Sequence, residues 1–232
     1  MDGIIPTGEG GSLGVLFGKW GSAKSFVALD MAHSIATGID WHGRPTVKGR
    51  VAYVVAEGAL GFKYRAAAWA KHHGFHAGIP RMHYVTDPVD LMDLKRVELL
   101  LDTLQSDTPG LPDLTIIDTL ARSMPSGDEN ETKDMNAVVA GLGRIQAVTR
   151  GSVLVIHHQG HNEETQRARG SSVLPGACDY ILSCAKTGNR VAVECRKQKD
   201  AEEFAPLHLE LKPVAGSCVI ETASNLLSMK VR

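Results

Sequence analysis

Short apolar runs and stretches of helical spacing take turns along this chain, and their order predicts the fold class before any motif is considered. Residues 13–17, LGVLF, form an apolar run bounded by Gly10, Gly11 and Gly18, the pattern of a strand buried on both faces. Phe26, Leu29, Ala32, His33 and Ala36 then recur at helical spacing until Thr37 and Gly38 end the element. Strands predicted at 51–56, 82–86, 114–117 and 153–156 alternate with helices predicted at 60–73, 91–104 and 133–148. That grammar predicts an α/β fold with a mostly parallel central sheet flanked by helices. After Tyr180 the pattern changes to apolar stretches at 181–185, 190–195, 207–211 and 218–221, separated by turns such as Thr187-Gly188-Asn189. These predict antiparallel strands at the C-terminal edge of the sheet.

Composition narrows the picture. A chain of 232 residues with 43% hydrophobic content suits one α/β domain over 1–232 better than two. A formal net charge of -1 excludes a uniformly basic nucleic-acid-coating protein, so any contact with DNA has to come from local loops. Cys178, Cys184, Cys195 and Cys218 form no C-x-x-C pair and sit in or beside predicted strands, which favours reduced, buried thiols in a cytoplasmic protein. No segment approaches the ~18 consecutive apolar residues of a membrane helix, and no basic region followed by an apolar stretch opens the chain, so no membrane partner is expected. The first predicted strand follows Met1 closely, which leads us to expect an upstream domain.

The candidate chemistry begins at residues 18–25, GKWGSAKS, one residue away from the phosphate-loop pattern G-x-x-x-x-G-K-[ST]. A loop leaving a buried strand and opening a helix can turn its backbone N–H groups toward phosphate oxygens, and Gly18 and Gly21 supply the freedom for that turn. Gly18, Trp20, Gly21, Ser22, Ala23, Lys24, Ser25 and Phe26 are therefore the candidate nucleotide-binding residues. Lys24 would reach the β- and γ-phosphates, and the Ser25 hydroxyl would complete the coordination of Mg²⁺. Ala23 stands where the pattern has its second glycine, and a left-handed backbone there would cost alanine about 1 kcal/mol.

Three predicted strands end in polar residues. Residues 114–118, LTIID, end in Asp118, placed to hold Mg²⁺ at the rim of the sheet. Residues 51–58, VAYVVAEG, place Glu57 where a water-activating base would be needed; the alternative is an exposed carboxylate capping the next helix. Residues 153–159, VLVIHHQ, carry His157 and His158, one of which could contact the γ-phosphate or the water, since adjacent residues on a strand face opposite ways.

Together these residues resemble the RepA-like branch of the RecA-type P-loop ATPases, the group that includes plasmid and phage hexameric replicative helicases. The resemblance is carried by GKWGSAKSFVALDMA, VAYVVAEG, LTIIDTLARSMPSGDENE, VLVIHHQGH, RARGSSVLPGACDYIL and ECRKQKDAEE, from residue 18 to residue 203. It implies a RecA-like fold, ATP and Mg²⁺ bound between subunits of a homohexameric ring, and catalytic roles for Lys24, Glu57 and Asp118. It also implies that Lys197 and Lys199 reach a neighbour's γ-phosphate, a lysine standing where many relatives have arginine; the alternative is an edge strand guarded by lysines. The implied function is an ATP-driven DNA helicase motor of phage or plasmid replication, in the cytoplasm of a bacterial host, translocating on single-stranded DNA and often joined to a primase. A recombination or regulatory ATPase without unwinding, or a nucleotide-binding assembly module, are the alternatives. Loops 123–132 and 159–170 match the pore-facing DNA loops of such helicases; the second carries Arg167 and Arg169, suited to phosphate contacts, while the first is acidic.

Overall fold

The computed structural model describes residues 1–6, 10–107, 110–159 and 170–224. The elements run β1 (Leu13–Gly18), α1 (Lys24–Thr37), β2 (Val51–Val55), α2 (Ala59–His72), β3 (Met82–Val85), α3 (Leu94–Asp107), β4 (Leu114–Asp118), α4 (Thr132–Thr149) and β5 (Ser152–His158). They continue with α5 (Val173–Ala177), β6 (Tyr180–Thr187), β7 (Arg190–Gln198), β8 (Leu207–Val214) and β9 (Ser217–Thr222). The described residues form one nine-stranded sheet in the order β3-β2-β4-β5-β1-β6-β7-β8-β9. Strands β3 to β6 in that order are parallel, and β6 to β9 antiparallel.

The central strands are uninterrupted apolar runs because both of their faces are covered. Alternate residues go to opposite sides. Leu16, Tyr53, Val55, Ile116, Leu154 and Ile156 join α1 and Phe62 of α2 in one core. Val15, Ala52, Val54, Ile117, Val153 and Val155 join Val97, Leu101 and Leu104 of α3 and Val138, Leu142 and Ile145 of α4 in the other. Each fully buried aliphatic side chain among them contributes about 2 kcal/mol.

One polar group is built into the first core. The Asp30 carboxylate, on α1, is buried and accepts hydrogen bonds from Trp41 Nε1 at 2.7 Å and Trp69 Nε1 at 2.6 Å, with His42 Nε2 at 2.9 Å. His42 Nδ1 lies 3.0 Å from Thr222 Oγ1. A single carboxylate thus joins α1, α2, the turn after α1 and the last strand.

Helix α3 starts later than its apolar spacing predicts. Asp90 Oδ1 accepts from the Met92 N–H at 3.0 Å and Asp93 Oδ1 from the Lys95 N–H at 2.9 Å, so residues 90–93 close turns on themselves. The apolar side chain of Leu91 is still buried, which is why spacing alone extended the helix to it.

Candidate nucleotide site

The loop between β1 and α1 is shaped by close approaches that few residues permit. A Cβ on Gly18 would lie 2.2 Å from the Cys184 carbonyl oxygen on the adjacent strand β6, so only glycine fits. Gly21 has φ 71°, in the left-handed region. Ala23 has φ 70° and ψ 17°, the strained conformation its position in the motif implies, and the helix begins at the next residue. The Cys184 thiol donates to the Ser22 carbonyl at 2.9 Å, tying the loop to β6. Burial pushes that thiol up to about 12, with Lys24 and the Ser22 contact acting in the opposite direction.

Lys24 is buried, and its Nζ donates to the carbonyls of Gly18 at 3.0 Å and Lys19 at 2.9 Å, with Ser22 Oγ at 3.4 Å. Burial lowers the pKa of the ammonium, while Cys184, Asp118 and Glu57 act to raise it.

Asp118 closes β4 and is only 4% exposed. Tyr53, in the neighbouring strand β2, donates its phenol O–H to Asp118 Oδ2 at 2.8 Å. Desolvation raises the pKa of Asp118; Tyr53, the Ser25 hydroxyl, Arg65 and Lys24 all favour the ionised form. A carboxylate and a hydroxyl meeting beside the phosphate loop are hard oxygen donors, a set that fits Mg²⁺ with its retained water shell. Glu57 lies just beyond β2, exposed at the rim, and Thr119 Oγ1 donates to its Oε2 at 3.4 Å.

These groups face one cavity of about 360 Å³, lined among others by Lys24, Ser25, Phe26, Glu57, Asp118 and His158. Trp20, Gly21, Ser22 and Ala23 complete its loop side. The two histidines of β5 diverge as alternation requires. His158 lines the cavity and stacks on the exposed Trp20 ring, centroids 5.3 Å apart at 20°. Burial lowers the His158 pKa, helped by Lys24 and His157. His157 is fully buried on the opposite side, 3.8 Å from Glu129 Oε2.

Lys197 and Lys199 stand away from this cavity. Lys197 Nζ donates to the backbone carbonyls of Pro175 at 3.1 Å and Cys178 at 2.5 Å, at the end of α5, and Lys199 Nζ to Asp179 Oδ1 at 3.2 Å. Lys197 still belongs to β7, whereas Lys199 lies past its end. In the acidic loop, Asp128 Oδ1 accepts from the Asn130 N–H at 2.8 Å, and the Asp128 N–H donates to Asp134 Oδ2 at 2.9 Å. That loop is also fastened to residue 171, whose N–H reaches the Glu129 carbonyl at 2.7 Å. Arg167 and Arg169 lie outside the described residues.

Tyr53, Arg65, Thr119, Cys184 and Lys186 also border the cavity or hold its walls, and no sequence motif marks them. Tyr53 reads as one more apolar strand residue and Arg65 as one more polar helix residue. Their placement follows from strand pairing and helix docking.

One strand, β5, separates the phosphate-loop strand β1 from β4, which carries Asp118. The AAA domain family matches residues 1–164. The chain belongs to this AAA domain family. Among solved structures, this AAA domain is similar to an ATPase domain, with a TM-score of 0.66 and 14% identity over 90% of this chain and 84% of that one. It is also similar to the RadB recombinase, with a TM-score of 0.64 and 18% identity over 96% of this chain and 93% of that one. At such identities the likeness is one of fold: the RecA-type P-loop ATPase fold, its mostly parallel sheet extended by antiparallel strands at the C-terminal edge. No helix among the described residues is long and apolar enough to cross a membrane.

Proposed function

We propose that this domain binds ATP with Mg²⁺ and hydrolyses it as the motor of a RepA-like, ring-forming DNA helicase of phage or plasmid replication. The observation that supports hydrolysis most directly is the meeting of Lys24, Ser25, Asp118 and Glu57 around one cavity. In this reading the loop amides and Lys24 hold the phosphates, and Ser25 and Asp118 hold the metal's water shell. Bound Mg²⁺ would neutralise charge building on the phosphates. Glu57 orients the attacking water and takes its proton, and Thr119 holds the Glu57 carboxylate at the rim. His158, stacked on Trp20, responds to the terminal phosphate and passes that state to the segment after β5.

The helicase part of the proposal rests on the resemblance carried by residues 18–203. It includes a homohexameric ring, single-stranded DNA as the track, a joined or associated primase and a bacterial cytoplasmic location. Action of Lys197 and Lys199 on a neighbour's nucleotide would require them to exchange their present carbonyl and Asp179 contacts for phosphate oxygens. A second reading, a recombination-type ATPase without unwinding, is favoured by the likeness to the RadB recombinase across 96% of this chain.

The test is steady-state ATP hydrolysis with and without single-stranded DNA, alongside the mass of the protein in ATP and Mg²⁺. Lys24→Ala should abolish binding or turnover, and Glu57→Gln should retain binding while losing turnover. Unchanged turnover in both variants would falsify the site assignment. DNA-stimulated turnover by a ring-sized species with strand separation supports the helicase; stimulation without separation supports the second reading.

A further inference from the structure

Strand β6 outruns β1. The two pair as far as Phe17 with Ser183, and β6 then continues to Thr187 alongside the phosphate loop. Cys184 is the first residue of that overhang, and it meets the loop twice. Its carbonyl oxygen lies 2.2 Å from where a Cβ on Gly18 would stand, and its thiol donates to the Ser22 carbonyl at 2.9 Å. Ser22 and Cys184 are both buried, which withholds water as a substitute donor. Burial also raises the thiol pKa to about 12, so the sulfur keeps the proton it donates. In a trans peptide the C=O and N–H point opposite ways. A Ser22 carbonyl turned to β6 therefore sends the Ala23 N–H to the other side, where Ala23 lines the cavity with Lys24 and Asp118. That N–H and those of Lys24, Ser25 and Phe26 precede the first bond of α1, from the Val27 N–H to the Ala23 carbonyl at 3.0 Å, and are the donors an anion would meet. Ala23 itself sits at φ 70° and ψ 17°, which an L side chain disfavours. A half-turn of the Ser22–Ala23 peptide plane would carry that φ to about −110°, ordinary for alanine, and would aim the Ser22 carbonyl at the phosphates instead.

We propose that Cys184 is a positioning residue for the nucleotide: its thiol holds the Ser22–Ala23 peptide with the N–H toward the phosphates, against the flipped plane that Ala23 by itself favours. The proposal rests on the nucleotide-binding reading of this site. Cys184 acts only through the loop, since its thiol is occupied by the Ser22 carbonyl. Where the phosphate-loop pattern has glycine at this position, either sign of φ is accessible and the backbone has no bias to oppose. With alanine there, a donor on the neighbouring strand decides which way the peptide faces. Residues 23 and 184 are therefore coupled, although they lie far apart in the sequence.

The test uses the full 232-residue chain with Cys184→Ala, Cys184→Ser, Ala23→Gly, and Cys184→Ala combined with Ala23→Gly. ADP affinity is read from tryptophan fluorescence, since Trp20 lines the cavity. For Cys184→Ala we expect ADP affinity lower by about tenfold, because the Ser22 carbonyl loses its donor. Cys184→Ser still donates and should stay within about threefold of the unmutated protein. In the Ala23→Gly background Cys184→Ala should cost no more than about threefold, because glycine takes either sign of φ. A packing defect alone would cost the same in both backgrounds, so an equal loss there overturns the proposal. Unchanged ADP affinity in Cys184→Ala, or a serine no better than alanine, overturns it as well. Amide exchange of the unmutated protein, followed residue by residue by NMR, reads the peptide directly: ADP should slow exchange at Ala23 by about tenfold or more. An Ala23 amide that exchanges as fast with ADP as without it ends the proposal whether or not Cys184→Ala folds. Lys24→Ala is the control for the site itself: if it binds ADP normally, the nucleotide reading and the Cys184 role fall together. If it loses ADP while Cys184→Ala binds as the unmutated protein does, the Cys184 role alone is lost.

Discussion

Tyr53 and Asp118 meet across adjacent strands, the phenol O–H of one donating to Oδ2 of the other at 2.8 Å, although Tyr53 is fully buried and belongs to a different strand from the carboxylate. The register Val55 to Asp118 sets Tyr53 two residues back along β2, on the same face, and the long aromatic side chain spans the gap. One carboxylate oxygen is thereby fixed, and the Ser25 hydroxyl stands by the same carboxylate. Tyr53→Phe keeps the ring and removes the bond. Stability should fall by about 1 kcal/mol, and the Mg²⁺ concentration for half-maximal turnover should rise severalfold with ADP binding in the absence of metal unchanged. Manganese binding followed by electron paramagnetic resonance checks the metal affinity directly; equal affinity in both proteins would limit Tyr53 to a packing role.

Ala23 occupies a left-handed conformation, φ 70°, that glycine adopts without a Cβ penalty. Ala23→Gly should raise stability by up to about 1 kcal/mol, a gain of roughly 2–4 °C in melting temperature for a domain of this size. A melting temperature that falls instead would show that the methyl's contact with the first core outweighs the backbone strain.

Asp30 accepts from two buried indoles at once. Asp30→Ala leaves Trp41 and Trp69 with donors that have lost their acceptor. We expect a loss of about 3 kcal/mol or more in denaturant titration, with α2 loosened from α1. Because Glu57 flanks α2, turnover should drop even where the variant remains folded. Undiminished stability would mean that water replaces the carboxylate.

His33 is buried in the same region, its Nε2 2.7 Å from the Tyr84 hydroxyl and its ring edge-on to Trp69. Burial, with His73 adding to it, depresses its pKa from 6.5 to about 3. The unfolded chain therefore binds the proton more readily than the folded one. Stability is complete above the unfolded value and declines as pH falls from 6.5 toward about 3, by several kcal/mol in all. The lowered pKa of His158 adds to the same acid limb. His33→Gln should flatten the decline measured by urea denaturation between about pH 7 and about pH 4. An identical decline in the variant would assign the acid sensitivity to other groups.

Much of the architecture was legible from apolar periodicity. The runs at 13–17, 51–56, 114–117 and 153–156 lie within a residue or two of β1, β2, β4 and β5, because a strand buried on both faces must be apolar throughout. Helix ends were less legible where side chains override spacing, as Asp90 and Asp93 do ahead of α3. The short helix α5 and the 3₁₀ turn Leu120–Arg122 left no periodic signal, being too short to show one.

Of the site, residues close in sequence could be read from the chain, because a phosphate loop needs its glycine, lysine and serine in fixed order and a strand end places its last carboxylate at the rim. Lys24, Ser25, Glu57 and Asp118 are singled out that way, and the structure sets them around one cavity. The placements of Tyr53, Arg65 and Cys184 could not be, since they depend on which strand lies beside which and on how α2 docks against α1. Local order determines backbone conformation and which faces are apolar. Pairing of β2 with β4 and of β1 with β6, across sequence separations that no local rule spans, decided which polar side chains face the same cavity.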